Sequence, residues 1–216
     1  MTRLVTRWTL AGCISLAAVG AVAALGVAPA TADSGATVTS EVFDPEGDTL
    51  YNSDAPFQDV VRARMTKTAS GDFELLMEVA APVPTAPESP QAGRNQIWWI
   101  WAFDLDATTR PDGYPFHSSK DGRPPEFMVY VSWDGTSFAG TAVDRRPLLT
   151  GGEAIVTSVP FRIDGTIIEA DLASEVIGAV PSSFSWGPFT LNWWGSVGSS
   201  QRRWADYFES LAVFNP

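Results

Sequence analysis

Residues 96–106 read Gln96-Ile97-Trp98-Trp99-Ile100-Trp101-Ala102-Phe103-Asp104-Leu105-Asp106. Laid out as a strand, the segment turns Ile97, Trp99, Trp101, Phe103 and Leu105 to one side and Trp98, Ile100 and Ala102 to the other, because side chains alternate along extended backbone. Both sides are apolar for most of its length, which places the strand inside a sheet whose two faces are largely covered. It then breaks into Asp104, Asp106, Thr108, Thr109, Arg110, Pro111, Asp112 and Gly113, residues that favour turns. A core strand ending in an acidic loop directs attention to strand ends as the place for chemistry.

Outward from this strand, short alternating runs divided by Gly, Pro and Asp clusters recur, with no sustained 3.6-residue period and no fixed-length repeat. Residues 37–43 close on Asp44-Pro45-Glu46-Gly47-Asp48. Residues 59–67 set Val61, Ala63 and Met65 against Val60, Arg62 and Arg64; residues 73–80 align Phe73, Leu75, Met77 and Val79, and Ala69-Ser70-Gly71-Asp72 joins the two as an antiparallel hairpin. Pro82, Pro84, Pro87 and Pro90 make residues 81–94 an exposed connection, and residues 106–125 form a second long loop. Residues 126–133 pair through Asp134-Gly135 with residues 136–143, the strongest hairpin signal in the chain. Runs at 153–159, 161–163 and 166–172 follow, then a short helical candidate at 172–178 that ends at Gly178. An aromatic strand region at 184–197 is interrupted by Gly187-Pro188, and the tail mixes charge with aromatics. The pattern predicts an all-β protein: a single antiparallel β-sandwich, Greek-key or jelly-roll-like, with one short helix, preceded by a signal peptide.

That signal peptide is residues 1–32. Two arginines open it, an uncharged apolar run follows, and Ala28-Pro29-Ala30-Thr31-Ala32 supplies a small-residue cleavage site near Ala32. Residues 33–216 are then the folded domain and the expected location is extracellular. Cleavage removes Cys13, the only cysteine, which excludes disulfide stapling and thiol chemistry. It also leaves 12 Lys and Arg against 25 Asp and Glu, a net charge of −13. Such a charge speaks against nucleic acid and anionic membrane as partners and is compatible with cations, neutral sugars or plain solubility.

The order of motifs resembles a known family. Asp44-Pro45-Glu46-Gly47-Asp48, Gln58-Asp59-Val60-Val61 opening a strand, Phe103-Asp104-Leu105-Asp106 closing one, Phe127-Met128-Val129-Tyr130 and Trp204-Ala205-Asp206-Tyr207 are similar to DOMON-like β-sandwiches related to family-nine carbohydrate-binding modules. The resemblance covers nearly all of residues 33–216. It implies a secreted sandwich that often binds glycans, sometimes carries structural calcium and in one branch holds haem. A shared fold does not fix a function.

The residues themselves offer three kinds of chemistry. Calcium needs six to eight oxygens, and Asp44, Glu46, Asp48, Asp104, Asp106 and Asp206 stand at strand ends where they could supply them; capping of the turns by the same carboxylates is the plainer alternative. Sugar rings stack on exposed indole, for which Trp98 and Trp194 are the candidates, with Asn95, Gln96, Asn192 and Arg203 as hydroxyl partners at the edge. Filling of the core by these indoles is the competing account. Catalysis has less support: the single histidine, His117, sits beside Ser118 and Ser119 in a loop, and no carboxylate pair is singled out by spacing. Haem enters only through the resemblance, whose haem-holding branch implies Met and His axial ligands; Met65, Met77, Met128 and His117 are the candidates here, and haem is the least favoured cofactor. The expectation is a monomeric, non-catalytic module that binds an extracellular glycan or other small ligand, with calcium as the cofactor to test. A carboxylate-dependent glycan-active enzyme and a cell-envelope interaction protein are the alternatives.

Overall fold

The alternating runs become strands of a two-layered sandwich. The structure is a computed structural model and describes residues 36–49, 55–88, 96–105, 125–193, 202–207 and 212–215, with the backbone alone for residues 193 and 202–207. In chain order the elements are β1 (Val38–Phe43), β2 (Val60–Lys67), β3 (Phe73–Val79), β4 (Gln96–Asp104), β5 (Phe127–Trp133), β6 (Phe138–Asp144), β7 (Ile155–Ser158), β8 (Phe161–Asp164), β9 (Ile167–Leu172), the one-turn helix α1 (Ser174–Ile177), β10 (Phe184–Trp193), β11 (Arg202–Tyr207) and β12 (Ala212–Phe214). A five-stranded sheet runs β1-β2-β3-β9-β8, and a seven-stranded sheet runs β11-β10-β4-β5-β6-β7 with β12 also paired to β10. All pairings are antiparallel. Residues 1–35 lie outside the described residues. Among the described residues no helix is long and apolar enough to cross a membrane.

β4 lies inside the seven-stranded sheet, between β10 and β5. Its odd-numbered residues Ile97, Trp99, Trp101 and Phe103 enter the core between the layers, where they meet Phe127, Val129 and Val131 of β5 and Met65, Phe73, Leu75 and Met77 of the opposite sheet. An indole carries an N–H that has to be satisfied when buried. Three buried indoles bind the structure together through theirs: Trp101 Nε1 donates to the Leu76 carbonyl across the sandwich at 3.2 Å and Trp186 Nε1 to the Ser40 hydroxyl at 3.0 Å, while Trp99 Nε1 donates to the Phe57 carbonyl at 2.9 Å; Trp133 Nε1, also buried, has no partner among the described residues. A 3-10 turn over Pro56–Gln58 closes that end of the core. Gln58 Nε2 donates to Asn192 Oδ1 at 3.1 Å, and the Thr190 hydroxyl donates to the Gln58 carbonyl at 2.6 Å.

Three local readings of the sequence change. The register between β2 and β3 shifts between Val60 and Arg62, so Val60 is fully buried and Val61 only half-buried. A bulge inserts one residue and exchanges the faces of what precedes it. Gly187-Pro188 does not interrupt β10: β12 pairs with Phe184, Ser185 and Trp186, β11 begins at Phe189, and the proline falls in the gap between them. There β10 has β4 as its only described neighbour, so a missing N–H costs no ladder bond. The helical candidate shortens to the four residues of α1, still ending at Gly178 with a positive φ of 66°.

Candidate functional site

The two outer faces of the sandwich differ in kind. On the five-stranded sheet the outward rows are charged: Glu41, Arg64, Leu76, Glu169 and Arg162 lie side by side across the strands, and so do Phe43, Arg62, Glu78, Ile167 and Asp164. Arg62 meets Glu41 at 2.6 Å and Glu78 at 3.5 Å, and Arg162 meets Glu169 at 2.6 Å. These are solvated pairs of small individual worth.

On the seven-stranded sheet three successive outward rows hold no charge. The first is Gly187, Ala102, Met128, Val143 and Val156; the second Phe189, Ile100, Tyr130, Thr141 and Ser158; the third Leu191, Trp98, Ser132 and Ala139. Burial falls across them. Ile100 and Phe189, on β4 and β10, are 2 % exposed, Met128, Tyr130 and Val143 are half-buried, and Val156 at the β7 edge is 67 % exposed. Trp98 stacks on its diagonal neighbour Tyr130 with ring centroids 4.5 Å apart and planes 12° from parallel. The Tyr130 hydroxyl bonds the Thr141 side chain, and burial raises its pKa above the usual phenol value. An uncharged, partly open face with one indole–phenol stack and hydroxyls from Ser132, Thr141 and Ser158 suits a neutral ligand with apolar flats and polar edges.

The residues named from the sequence are dispersed over this framework. Trp98 stands on the uncharged outer face and Gln96 is the first residue of β4. Asn192 does not edge the Trp98 indole: it pairs in register with Ile97, faces inward, and is buried against Gln58. Strand alternation puts these neighbours on opposite sides of the sheet. Arg203 is opposite Asn192 on β11, and Asp206 opposite Thr190. Trp194, Asn95 and Asp106 lie outside the described residues, as does His117.

Of the carboxylates proposed for calcium, the four whose side chains are described, Asp44, Glu46, Asp48 and Asp104, do not form one site. Asp44, Glu46 and Asp48 follow β1 at the end where β2 begins, since Phe43 pairs with Arg62. Asp104 ends β4 at the opposite end, where its neighbour Phe103 packs on Phe73, the partner of Lys67 at the end of β2. The eight residues of β2 separate the two ends by roughly 25 Å at the rise of a strand, far beyond any coordination sphere. Among the described residues no group of three or more His, Cys, Asp or Glu side chains is placed to hold a metal ion. The methionines considered for haem do not converge either: Met65 and Met77 fill the core and Met128 points away from it.

The first of these clusters includes a carboxyl that the sequence reading did not single out. Asp59 is 2 % exposed, accepts the Gly47 amide on Oδ2 at 2.7 Å, and has no hydrogen-bond partner for Oδ1. Burial raises its pKa; the Gly47 hydrogen bond opposes the shift, and the charges of Asp48 and Glu46 add to it. The turn over Asp44-Pro45-Glu46-Gly47-Asp48 is thus tied down by Asp59, with Gly47 at a φ of 90° where a side chain would be strained. The sequence signal was available in Gln58-Asp59, a polar pair directly preceding a buried strand.

No protein-family model, curated protein or solved structure matches the chain.

Proposed function

We propose that the protein is a secreted, non-catalytic binding module whose ligand is a neutral glycan lying on the open part of the outer face of the seven-stranded sheet. The observation that carries this reading is the run of three uncharged rows on one face, centred on the Trp98–Tyr130 stack, in a chain whose other outer face is charged. A flat aromatic pair offers the C–H face of a pyranose an apolar surface, while hydroxyls at its margin exchange hydrogen bonds with the sugar. The resemblance to DOMON-like and family-nine carbohydrate-binding sandwiches points the same way, and the predicted signal peptide places the module where extracellular glycans are found.

The test is a calorimetric titration of neutral oligosaccharides against the wild type and Trp98→Ala, each with and without a chelator. The expected result is a glycan bound by the wild type and about tenfold or more weaker binding by the variant. The reading fails if no glycan binds the wild type, or if Trp98→Ala binds as well as its parent. The chelator arm reads any calcium requirement in the same titration, and release of reducing sugar would move the assignment to a glycan-active enzyme.

A further inference from the structure

The seven-stranded sheet ends at β7, beyond which no described strand lies. Val159 N–H donates to the Gly140 carbonyl at 3.1 Å, so in this antiparallel ladder Thr157 and Ile155 also turn their main-chain groups toward β6. Val156 and Ser158 therefore turn theirs outward. Sheet edges are ordinarily guarded by lysine, proline or a covering element. β7 reads Ile-Val-Thr-Ser, with no lysine or proline, no strand among the described residues pairs with its outer side, and Ile155 and Val156 are 56 % and 67 % exposed on its two sides.

The chain after β7 forms one wall of a cleft of about 530 Å³, reached past Ser158 and Pro160 and lined on its far side by Asp72, Glu74 and Asp171. Glu74 and Asp171 are directly opposed across β3 and β9, both exposed, and neither has a cation partner among the described residues. Like charges in that register repel. Asp72 adds a third negative charge, its pKa held low by the Ser174 amide and the Ser70 hydroxyl.

We propose that β7 is a docking edge for an extended polypeptide carrying a basic residue. The segment adds a strand beside Val156 and Ser158, and its ammonium or guanidinium group enters the cleft between Glu74 and Asp171. Main-chain pairing supplies the attachment and the side-chain cleft the selection, as in other strand-addition sites. Charge decides the occupant: a second copy of this chain, with 25 acidic residues against 14 basic ones, brings net repulsion to the cleft, whereas a basic segment relieves it. The edge shares Val156 and Ser158 with the outward rows of the sugar reading, whereas Glu74 and Asp171 stand on the other sheet, so substitutions at these two carboxylates tell the two proposals apart.

The probe is a fluorescent synthetic peptide of alternating valine and threonine ending in two arginines, titrated into the full domain beside a counterpart ending in two glutamates. The arginine peptide should bind and the glutamate peptide should bind at least about tenfold more weakly, a difference that shrinks with added salt. Val156→Pro removes an outward N–H, which an edge strand tolerates, and should abolish binding. Glu74→Gln combined with Asp171→Asn leaves β7 intact and should weaken the arginine peptide about fivefold or more without affecting glycan binding. The proposal is overturned if the arginine peptide does not bind the wild type, if both peptides bind equally, or if the double carboxylate variant binds like its parent. Self-association of the wild type that Val156→Pro abolishes would also overturn it, by making the occupant a second copy.

Discussion

Asp59 shows how one buried carboxyl can organise a turn and still work against stability. Its Oδ2 accepts the Gly47 amide while Oδ1 has no partner, and burial favours the protonated form. Because the folded-state pKa is raised, the stability this group contributes is complete below about pH 4, its unfolded value, and is lost as the pH rises through the folded value. Asp59→Asn keeps an acceptor for Gly47 and cannot ionise. Its stability relative to the wild type should therefore increase between about pH 4 and pH 7; urea melts at the two pH values check this, and a difference that stays constant would refute it. Gly140 is a second residue whose role is set by proximity. A Cβ there would collide with the Val159 carbonyl oxygen and would lie 2.9 Å from Phe161 Cδ1, where the chain leaves one sheet for the other. Only a residue without a side chain lets β6 and that crossing come so close.

Among the elements, β4 carries most of the architecture. Its inward indoles fill the core and also donate across it, so the two sheets are joined by hydrogen bonds as well as by apolar contact. Trp101→Phe removes the donor to the Leu76 carbonyl and part of the packed volume, and should cost about 2 kcal/mol with the fold retained; chemical denaturation measures it, and an unchanged midpoint would show that the bond has no net worth. Near the C-terminal end of β4, where Asp144 pairs with Phe127 and Phe127 with Phe103, Arg146 performs a similar joining role. Its guanidinium grips Asp144 at 2.9 and 2.7 Å and donates to the Ile177 and Ala179 carbonyls, linking the end of β6 to the end of α1. The Arg146 hydrogen bonds hold the Asp144 pKa below the ordinary carboxylate value. That contribution is present above about pH 4 and is lost as the pH falls through the depressed folded value, opposite in sign to the Asp59 effect.

At the scale of the whole molecule one outer surface of the sandwich carries ion pairs and the other has three successive rows without charge, and the proposed function assigns the ligand to the second. Two matched substitutions test it. Val143→Lys on the seven-stranded sheet and Leu76→Lys on the five-stranded sheet both place a lysine at a half-buried outward position. Both variants should fold, with melting temperatures within a few degrees of the wild type. Only Val143→Lys should weaken glycan binding, by about tenfold; equal binding by both variants would separate the uncharged face from the ligand.

The sequence by itself determined the fold class and nearly every strand, because alternation and turn chemistry are local: the doubly apolar run at 96–106 could only be an interior strand, and Asp134-Gly135 could only be a tight turn between its neighbours. It also determined that Trp98 and Trp99 face opposite ways. Three things depended on tertiary structure. Pro188 could remain in a strand because β12 and β11 leave a gap beside it, which is a property of pairing. Asn192 turned inward because its register with Ile97, rather than its own polarity, fixed its face. The carboxylates at strand ends, alike in sequence, were distributed to opposite ends of the sandwich by strand direction, since proximity in space is a consequence of topology and not of composition.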